Sequence, residues 1–295
     1  MQKLVEYFLK DSNSETLKSI GMEVETQFVD FEGKPITIET SQGVLNYLTG
    51  KGWSTEIRKK GMITSLVDKK GNRISYELGR QNLEISAVAV RPSMVLSNTG
   101  ECLDQLYNAA YMFDSQPYFQ PVLEGSEDLL IIPDERDATW LKLDGRSNLA
   151  PLARTSSVQF TVSVSSDDAV KVLNNLGSKI GLFLPDYPQE VIWKKYIEGS
   201  LANYRPDRYG GPLLFESVEG YCFDLAKNDV VVGTGLVPFG EVDTLDIPLF
   251  LRSIWWYFRL KKYGSALCVE VRPMPRRDDS LFRDQMEKVI EIIHS

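Results

Sequence analysis

Histidine is nearly absent from this chain: there is one, His294, beside the C-terminus. A frayed helix end is its expected setting, so a mechanism built on a histidine base is nearly excluded. Cys102, Cys222 and Cys268 are odd in number, far apart and without CxxC spacing, which argues against a disulfide framework and a thiolate zinc site. There is no GxxxxGK[ST], no GxGxxG between a strand and a helix, and no GxSxG elbow, so the usual phosphate loops and the hydrolase nucleophile turn are missing. No apolar run approaches the roughly 20 residues of a membrane span, and the opening MQKLVEYFLKDSNSE is too polar for a secretory signal. A soluble, cytoplasmic protein without a membrane partner is expected. The chain has 33 basic against 41 acidic residues, a net charge of −8, and no long basic run. Nucleic acid is therefore not an expected partner.

What the chain does contain is acid on strands. Residues Tyr76 to Pro92 read YELGRQNLEISAVAVRP, with Leu83, Ile85, Val88 and Val90 supplying strand character. Asn82, Glu84 and Ser86 share one face at the period of two. The same design recurs in IGMEVETQFVD (Ile20 to Asp30), where Glu23 and Glu25 alternate with Met22 and Val24. It recurs again in ALCVEVRPMP (Ala266 to Pro275), where Glu270 and Arg272 alternate with Val269 and Val271. One such carboxylate is ordinarily a solvated sheet face. Three acidic strands together suit a wall of oxygens that grips hard divalent cations against phosphate.

The rest of the pattern is that of an α+β domain spanning 1–295, with a largely antiparallel sheet, a concave polar face carrying the site, and helices on the outer face. Short alternating runs at Trp53 to Arg58, Met62 to Val67, Arg73 to Leu78 and Asn82 to Val90 follow one another, with a hairpin turn at Lys69-Lys70-Gly71-Asn72. Arg154 to Ser165 alternates strictly, setting Val158, Phe160 and Val162 against Ser157, Gln159 and Thr161. Helices are expected over Gln2 to Leu9, Thr40 to Thr49, Pro92 to Phe113, Asp168 to Phe183 and Asp278 to Ile293. The apolar run Ile247 to Lys262 is also expected to be helical, with Trp255, Trp256 and Phe258 in the core. Pro117, Pro121, Pro133 and Pro151 punctuate Asp114 to Arg154 and predict a partly ordered loop near the site there. Gly210-Gly211 reads as a plain turn or as a close approach to a ligand.

Four stretches taken in order, GMEVET (Gly21 to Thr26), ELGRQNLEIS (Glu77 to Ser86), ARTSSVQFTVSV (Ala153 to Val164) and WYFRLKKYGSALCVEVRP (Trp256 to Pro273), resemble the landmarks of the glutamate-cysteine ligase family and its carboxylate-amine ligase relatives. The likeness runs from about residue 20 to 279. It implies the catalytic fold of glutamine synthetase. It also implies ATP as co-substrate, two or three Mg2+ ions, and transfer of the γ-phosphoryl group to a substrate carboxylate, usually that of glutamate. An amine, with cysteine the first candidate, then attacks the acyl phosphate. Because two anions must meet, charge neutralisation comes first.

By this resemblance Glu23, Glu25, Glu77, Glu84 and Glu270 match the family's metal-binding acids, and Glu84 is also given a catalytic role. Gln159 stands where members carry a histidine or glutamine beside the metals, and its carbonyl oxygen suits magnesium. Arg272, two residues beyond Glu270 and on the same face, matches the arginine that binds ATP and neutralises the transferring phosphoryl group. Arg259 is read either as holding a substrate carboxylate or as a helix-surface ion pair. Arg80 and Asn82 are read either as substrate contacts or as local structure. The chain is shorter than the well-known members and carries Thr161 where an asparagine is common. Two alternatives stay open: a silent, regulatory nucleotide- or amino-acid-binding relative, and a guanidino or amine phosphotransferase.

Overall fold

A computed structural model describes residues 1–131 and 135–295; Pro133 lies outside them. Nine of the strands form one sheet. They are β1 (Ile20–Asp30), β2 (Trp53–Lys59), β3 (Met62–Asp68), β4 (Arg73–Tyr76), β5 (Asn82–Val90), β6 (Ser115–Tyr118), β7 (Ser157–Ser163), β8 (Phe258–Tyr263) and β9 (Ala266–Pro275). The spatial order is β8-β9-β7-β1-β5-β4-β3-β2, with β6 pairing the far end of β1. Every pairing in this sheet is antiparallel. The helices are α1 (Gln2–Leu9), α2 (Ile38–Thr49), α3 (Val95–Tyr111), α4 (Glu135–Asp144), α5 (Arg146–Leu149), α6 (Ala169–Ser178), α7 (Gln189–Gly199), α8 (Val218–Leu225), α9 (Ile247–Arg252) and α10 (Phe282–His294). The fold is α+β, as the alternation of strand groups and helices predicts.

Period-two alternation decides which face is dry. Met22, Val24, Ile85, Phe160, Val162, Val269 and Val271 are buried with Val44 and Leu48 of α2, Leu103 and Leu106 of α3, Val172 and Leu176 of α6, and Val289 of α10 in one core. Each such side chain stabilises by about 1.5–3 kcal/mol when fully buried. A one-residue slip of β1 would exchange Met22 and Val24 for Glu23 and Glu25, so the register is strongly specified. Strand β7 is buried along its whole length, because the segment leading into α7 covers its polar side: the Gln189 amide donates to the Ser156 carbonyl at 2.7 Å, and the hydroxyls of Tyr187 and Ser157 lie 3.3 Å apart.

The hairpin turn forms where expected. Asp68 Oδ1 accepts from the backbone N–H groups of Lys70 and Asn72 at 2.8 and 2.9 Å, and Gly71 takes a positive φ of 92°. Two expectations are corrected. The segment from Asp114 to Arg154 carries more regular structure than a partly ordered loop, with β6, α4, α5 and a 3-10 turn at Ala150–Arg154.

Ile247 to Lys262 is not one helix either. Helix α9 stops at Arg252, Trp255–Trp256 pairs in parallel with Tyr209–Gly210, and Phe258–Tyr263 is the sheet strand β8. An apolar run rich in aromatics does not by itself separate a buried strand from a buried helix. The break is set at Ser253. Its hydroxyl donates to the Phe250 carbonyl at 2.7 Å, while buried Arg208 donates to the Ser253 carbonyl at 2.7 Å and to its Oγ at 2.8 Å. Gly210 and Gly211, with φ of 76° and 70°, make a packing turn. A Cβ on Gly211 would lie 2.3 Å from the Trp256 ring. Among the described residues no helix is long and apolar enough to cross a membrane.

Candidate active site

The polar face of the sheet is built by register. Glu25 on β1 lies directly opposite Glu84 on β5, and Glu23 lies between Gln159 on β7 and Ser86 on β5. Glu270 on β9 is flanked by Thr161 on β7 and Arg259 on β8. Directly paired strand residues have Cβ atoms about 4.5–5.5 Å apart, so two carboxylates at one pair cannot avoid each other. Glu77, from the turn that enters β5, completes a trio. One carboxylate oxygen from each of Glu25, Glu77 and Glu84 lies within 4.8 Å of the others.

Partners fix each acid. Glu25 accepts from the Ser157 N–H at 2.8 Å and from Gln159 Nε2 at 3.0 Å, and Glu84 accepts from Ser86 Oγ at 2.6 Å. Burial, followed by the charge of Glu84, pushes the Glu25 carboxyl up to about 8. Burial, followed by Glu77 and Glu23, raises Glu84 well above the usual carboxylate range, and Glu84 shares a hydrogen bond with Glu77. Three half-buried carboxyl groups with oxygens this close, two of them, Glu25 and Glu84, holding protons against their ordinary tendency, form an oxygen donor set suited to a hard divalent cation. These residues therefore fit magnesium.

Glu270 has the opposite setting. It is wholly buried, with 0% exposure. One oxygen is held by the Lys261 ammonium; the other accepts from Arg259 Nε and, at 3.1 Å, from Arg272 NH1. Burial alone would raise its pKa, but Arg259, Lys261 and Arg272 outweigh that and hold it well below the usual range. Glu270 is thus ionised without a metal, and both of its oxygens are occupied by protein cations. Glu270, expected as a metal ligand, is the anion around which Arg259, Lys261 and Arg272 are gathered.

Gln159 joins the two halves. Its oxygen accepts from Arg272 NH1 at 2.8 Å while its nitrogen donates to Glu25. An amide between a guanidinium, which only donates, and a carboxylate, which only accepts, is satisfied in this orientation.

The three residues read either as substrate contacts or as local structure each have partners within the fold. Arg259 lies on a strand, 9% exposed, and its NH1 donates to the Leu251 and Ile254 carbonyls at 2.9 and 3.0 Å, tying β8 to the end of α9. Buried Asn82 donates to the Thr155 carbonyl at 2.8 Å. Arg80 donates to the Ile36 and Asp128 carbonyls at 3.1 and 3.2 Å and pairs with Glu127. Each guanidinium or amide donates to nearby backbone carbonyls.

No family model matches this chain, and no curated protein matches it in sequence. Among solved structures, a glutamate–cysteine ligase from Francisella tularensis, in complex with AMP, superposes with a TM-score of 0.52 at 14% identity, over 95% of this chain and 67% of that one. The fold is that of glutamate–cysteine ligase. A bifunctional glutathione synthetase from Pasteurella multocida matches with a TM-score of 0.54 at 10% identity, over 100% of this chain but 40% of that one. The chain thus spans two fifths of the length of the second protein.

On this ligase fold the sequence reading missed Lys261. Its Nζ holds Glu270 and lies 3.6 Å from Glu23 Oε1. Read as a strand, FRLKKY sets Arg259, Lys261 and Tyr263 on one face, and that signal was available; read as a helix, it vanishes. Tyr187 was also missed. Burial pushes its phenol up to about 12, and it closes the site beside Ser157, whose N–H holds Glu25.

The acids predict a pH dependence. Glu25 and Glu84 keep their protons to higher pH in the folded chain than when unfolded. As pH climbs from the ordinary carboxylate range towards about 8, the unfolded chain ionises first, and metal-free stability falls. Magnesium held by these carboxylates would take their ionised form, so its stabilising effect would grow over the same interval. Calorimetric melting in EDTA and in excess Mg2+ is expected to diverge between pH 5 and 8, by clearly less for Glu25→Gln. Equal divergence in that variant would remove Glu25 from the metal set.

Proposed function

We propose that this protein is an ATP- and magnesium-dependent carboxylate–amine ligase, joining the γ-carboxylate of glutamate to an amine, with cysteine the first to test, through an acyl phosphate. The observation that carries this reading is the division of one polar sheet face. Glu25, Glu77 and Glu84 stand towards β1 and β5, Arg272 and Lys261 stand towards β8 and β9, and Gln159 bridges them. A face of both signs suits a polyanion that arrives with a cation on one side and needs charge neutralised on the other. The fold shared with glutamate–cysteine ligase supports the same reading.

In this mechanism an oxygen of the substrate carboxylate attacks the γ-phosphorus of ATP, the bond to ADP breaks, and an acyl phosphate forms. The amine nitrogen then attacks the acyl carbon, the bond to phosphate breaks, and the amine releases a proton. Magnesium held by Glu25, Glu77 and Glu84 would supply charge neutralisation and orientation of phosphate oxygens. Arg272 makes its hydrogen bonds to described residues through NH1 alone, so the rest of its fork is available to a phosphoryl group. Glu270 and Gln159 fix that fork. The raised pKa of Arg272, set by Glu270 against the opposing effect of burial, keeps it charged throughout. Tyr187, over Ser157, helps to exclude water from the acyl phosphate.

The test is incubation with ATP, Mg2+, glutamate and a pool of amines including cysteine, followed by ADP release and product mass. ADP with a condensed product is expected. A stable phosphorylated small molecule would replace the ligase reading by a phosphotransferase, and ATP binding with neither would replace it by a regulatory protein. Arg272→Ala is expected to lower kcat by about 10²–10³-fold with little change in melting temperature, because Glu270 keeps two other cations. Undiminished kcat would take Arg272 out of the reaction.

A further inference from the structure

The second half of the polar face does not fit a metal as well as the first, and the reason is Lys261. By resemblance Glu23, Gln159 and Glu270 were all expected to ligate magnesium. Instead, the Lys261 ammonium sits on Glu270 Oε1 and within 3.6 Å of Glu23 Oε1, linking the two acids as a cation would. The remaining oxygen of Glu270 and the oxygen of Gln159 are held by Arg272, at 3.1 and 2.8 Å. Arg259 adds a third positive charge against Glu270. By contrast, among the described residues no lysine or arginine forms a salt bridge with Glu25 or Glu84.

A divalent ion between Glu23 and Glu270 would therefore meet an ammonium and a guanidinium at contact distance, with no oxygen of Glu270 open to it. Lys261 comes from the same strand face as Arg259, two residues apart, so the backbone of β8 delivers both cations to this spot.

We propose that, without nucleotide, the chain binds one divalent cation, at Glu25, Glu77 and Glu84, and that the Lys261 ammonium stands between Glu23 and Glu270 where a second ion would otherwise sit. This rests on the metal-binding reading given above for the trio. It sets the resident metal count below the two or three ions implied by the family resemblance, and it makes Lys261 a built-in counter-cation of the phosphate side.

The experiment is titration of the purified chain with Mn2+, an oxygen-seeking stand-in for Mg2+, followed by the electron paramagnetic resonance signal of the free ion. Wild type is expected to bind one Mn2+ per chain, and Lys261→Met, which keeps the apolar stem, is expected to bind two. Adding Glu23→Gln to Lys261→Met is expected to return the count to one, and Lys261→Arg is expected to stay at one. If Lys261→Met does not fold by circular dichroism, Lys261→Gln serves in its place. Two or more ions in wild type, or one in the Lys261→Met chain, would overturn the inference while leaving the ligase reading intact. No ion in wild type would instead remove the acid trio as a metal site, and both proposals with it.

Discussion

Glu84→Gln is expected to lower turnover by about 10³-fold and, in the same protein, to raise the melting temperature of the metal-free chain. The two effects have one cause. Register places Glu84 opposite Glu25, and its carboxyl group is also hydrogen-bonded with Glu77. With no cation present, this proximity favours a proton over a charge, and the fold bears the cost of the crowding. Glutamine keeps the shape and can still accept from Ser86, but it brings no charge to repel its neighbours or to hold magnesium. Product formation and calorimetry in EDTA measure the two halves. A variant at full rate would take Glu84 out of the chemistry, and one that melts lower than wild type would mean the acids are not in conflict.

Glu270→Ala is expected to do the reverse to stability, costing about 3–5 kcal/mol, which for a chain of this size lowers the melting temperature by about 5–8 °C. Glu270 is fully buried and is the shared counter-charge of Arg259, Lys261 and Arg272. Removing it leaves three cations facing one another at the centre of the sheet, with Arg259 still tied to the end of α9. Its carboxyl pKa is held well below the usual range, so its contribution is complete above the ordinary carboxylate range and is lost as pH falls through the depressed value. The deficit of Glu270→Ala relative to wild type should therefore shrink in strong acid. A variant that melts with wild type at pH 7 would show that solvent, and not Glu270, carries the charge of this cluster.

The contrast between these two glutamates could not be read from the sequence. Both sit on alternating strands, both face the polar side, and both were expected, by resemblance, to be metal-binding acids. What separates them is their neighbours: Glu84 faces Glu25 from the adjacent strand, whereas Glu270 lies between β7 and the cation-bearing β8. Strand β8 was itself read as part of a helix, because an apolar, aromatic-rich run supports either period until something breaks it. That break is at Ser253, held by Arg208 from 45 residues away in sequence. With the strand hidden, Lys261 was hidden too. Arg80, Asn82 and Arg259 illustrate the same limit, since the backbone partners of a polar residue inside a motif are set by tertiary contacts and cannot be read from the motif.

The sequence by itself determined which side chains share a face: Glu23 with Glu25, Glu270 with Arg272, Ser157 with Gln159. Alternation is a property of consecutive residues in an extended chain and needs no distant partner. Only the tertiary structure decided which faces meet and in what order, and so which acid meets another acid and which meets a lysine. Strand order and register are settled by contacts between segments up to about 250 residues apart, such as that between Thr26 and Arg276, and local pattern carries no record of them.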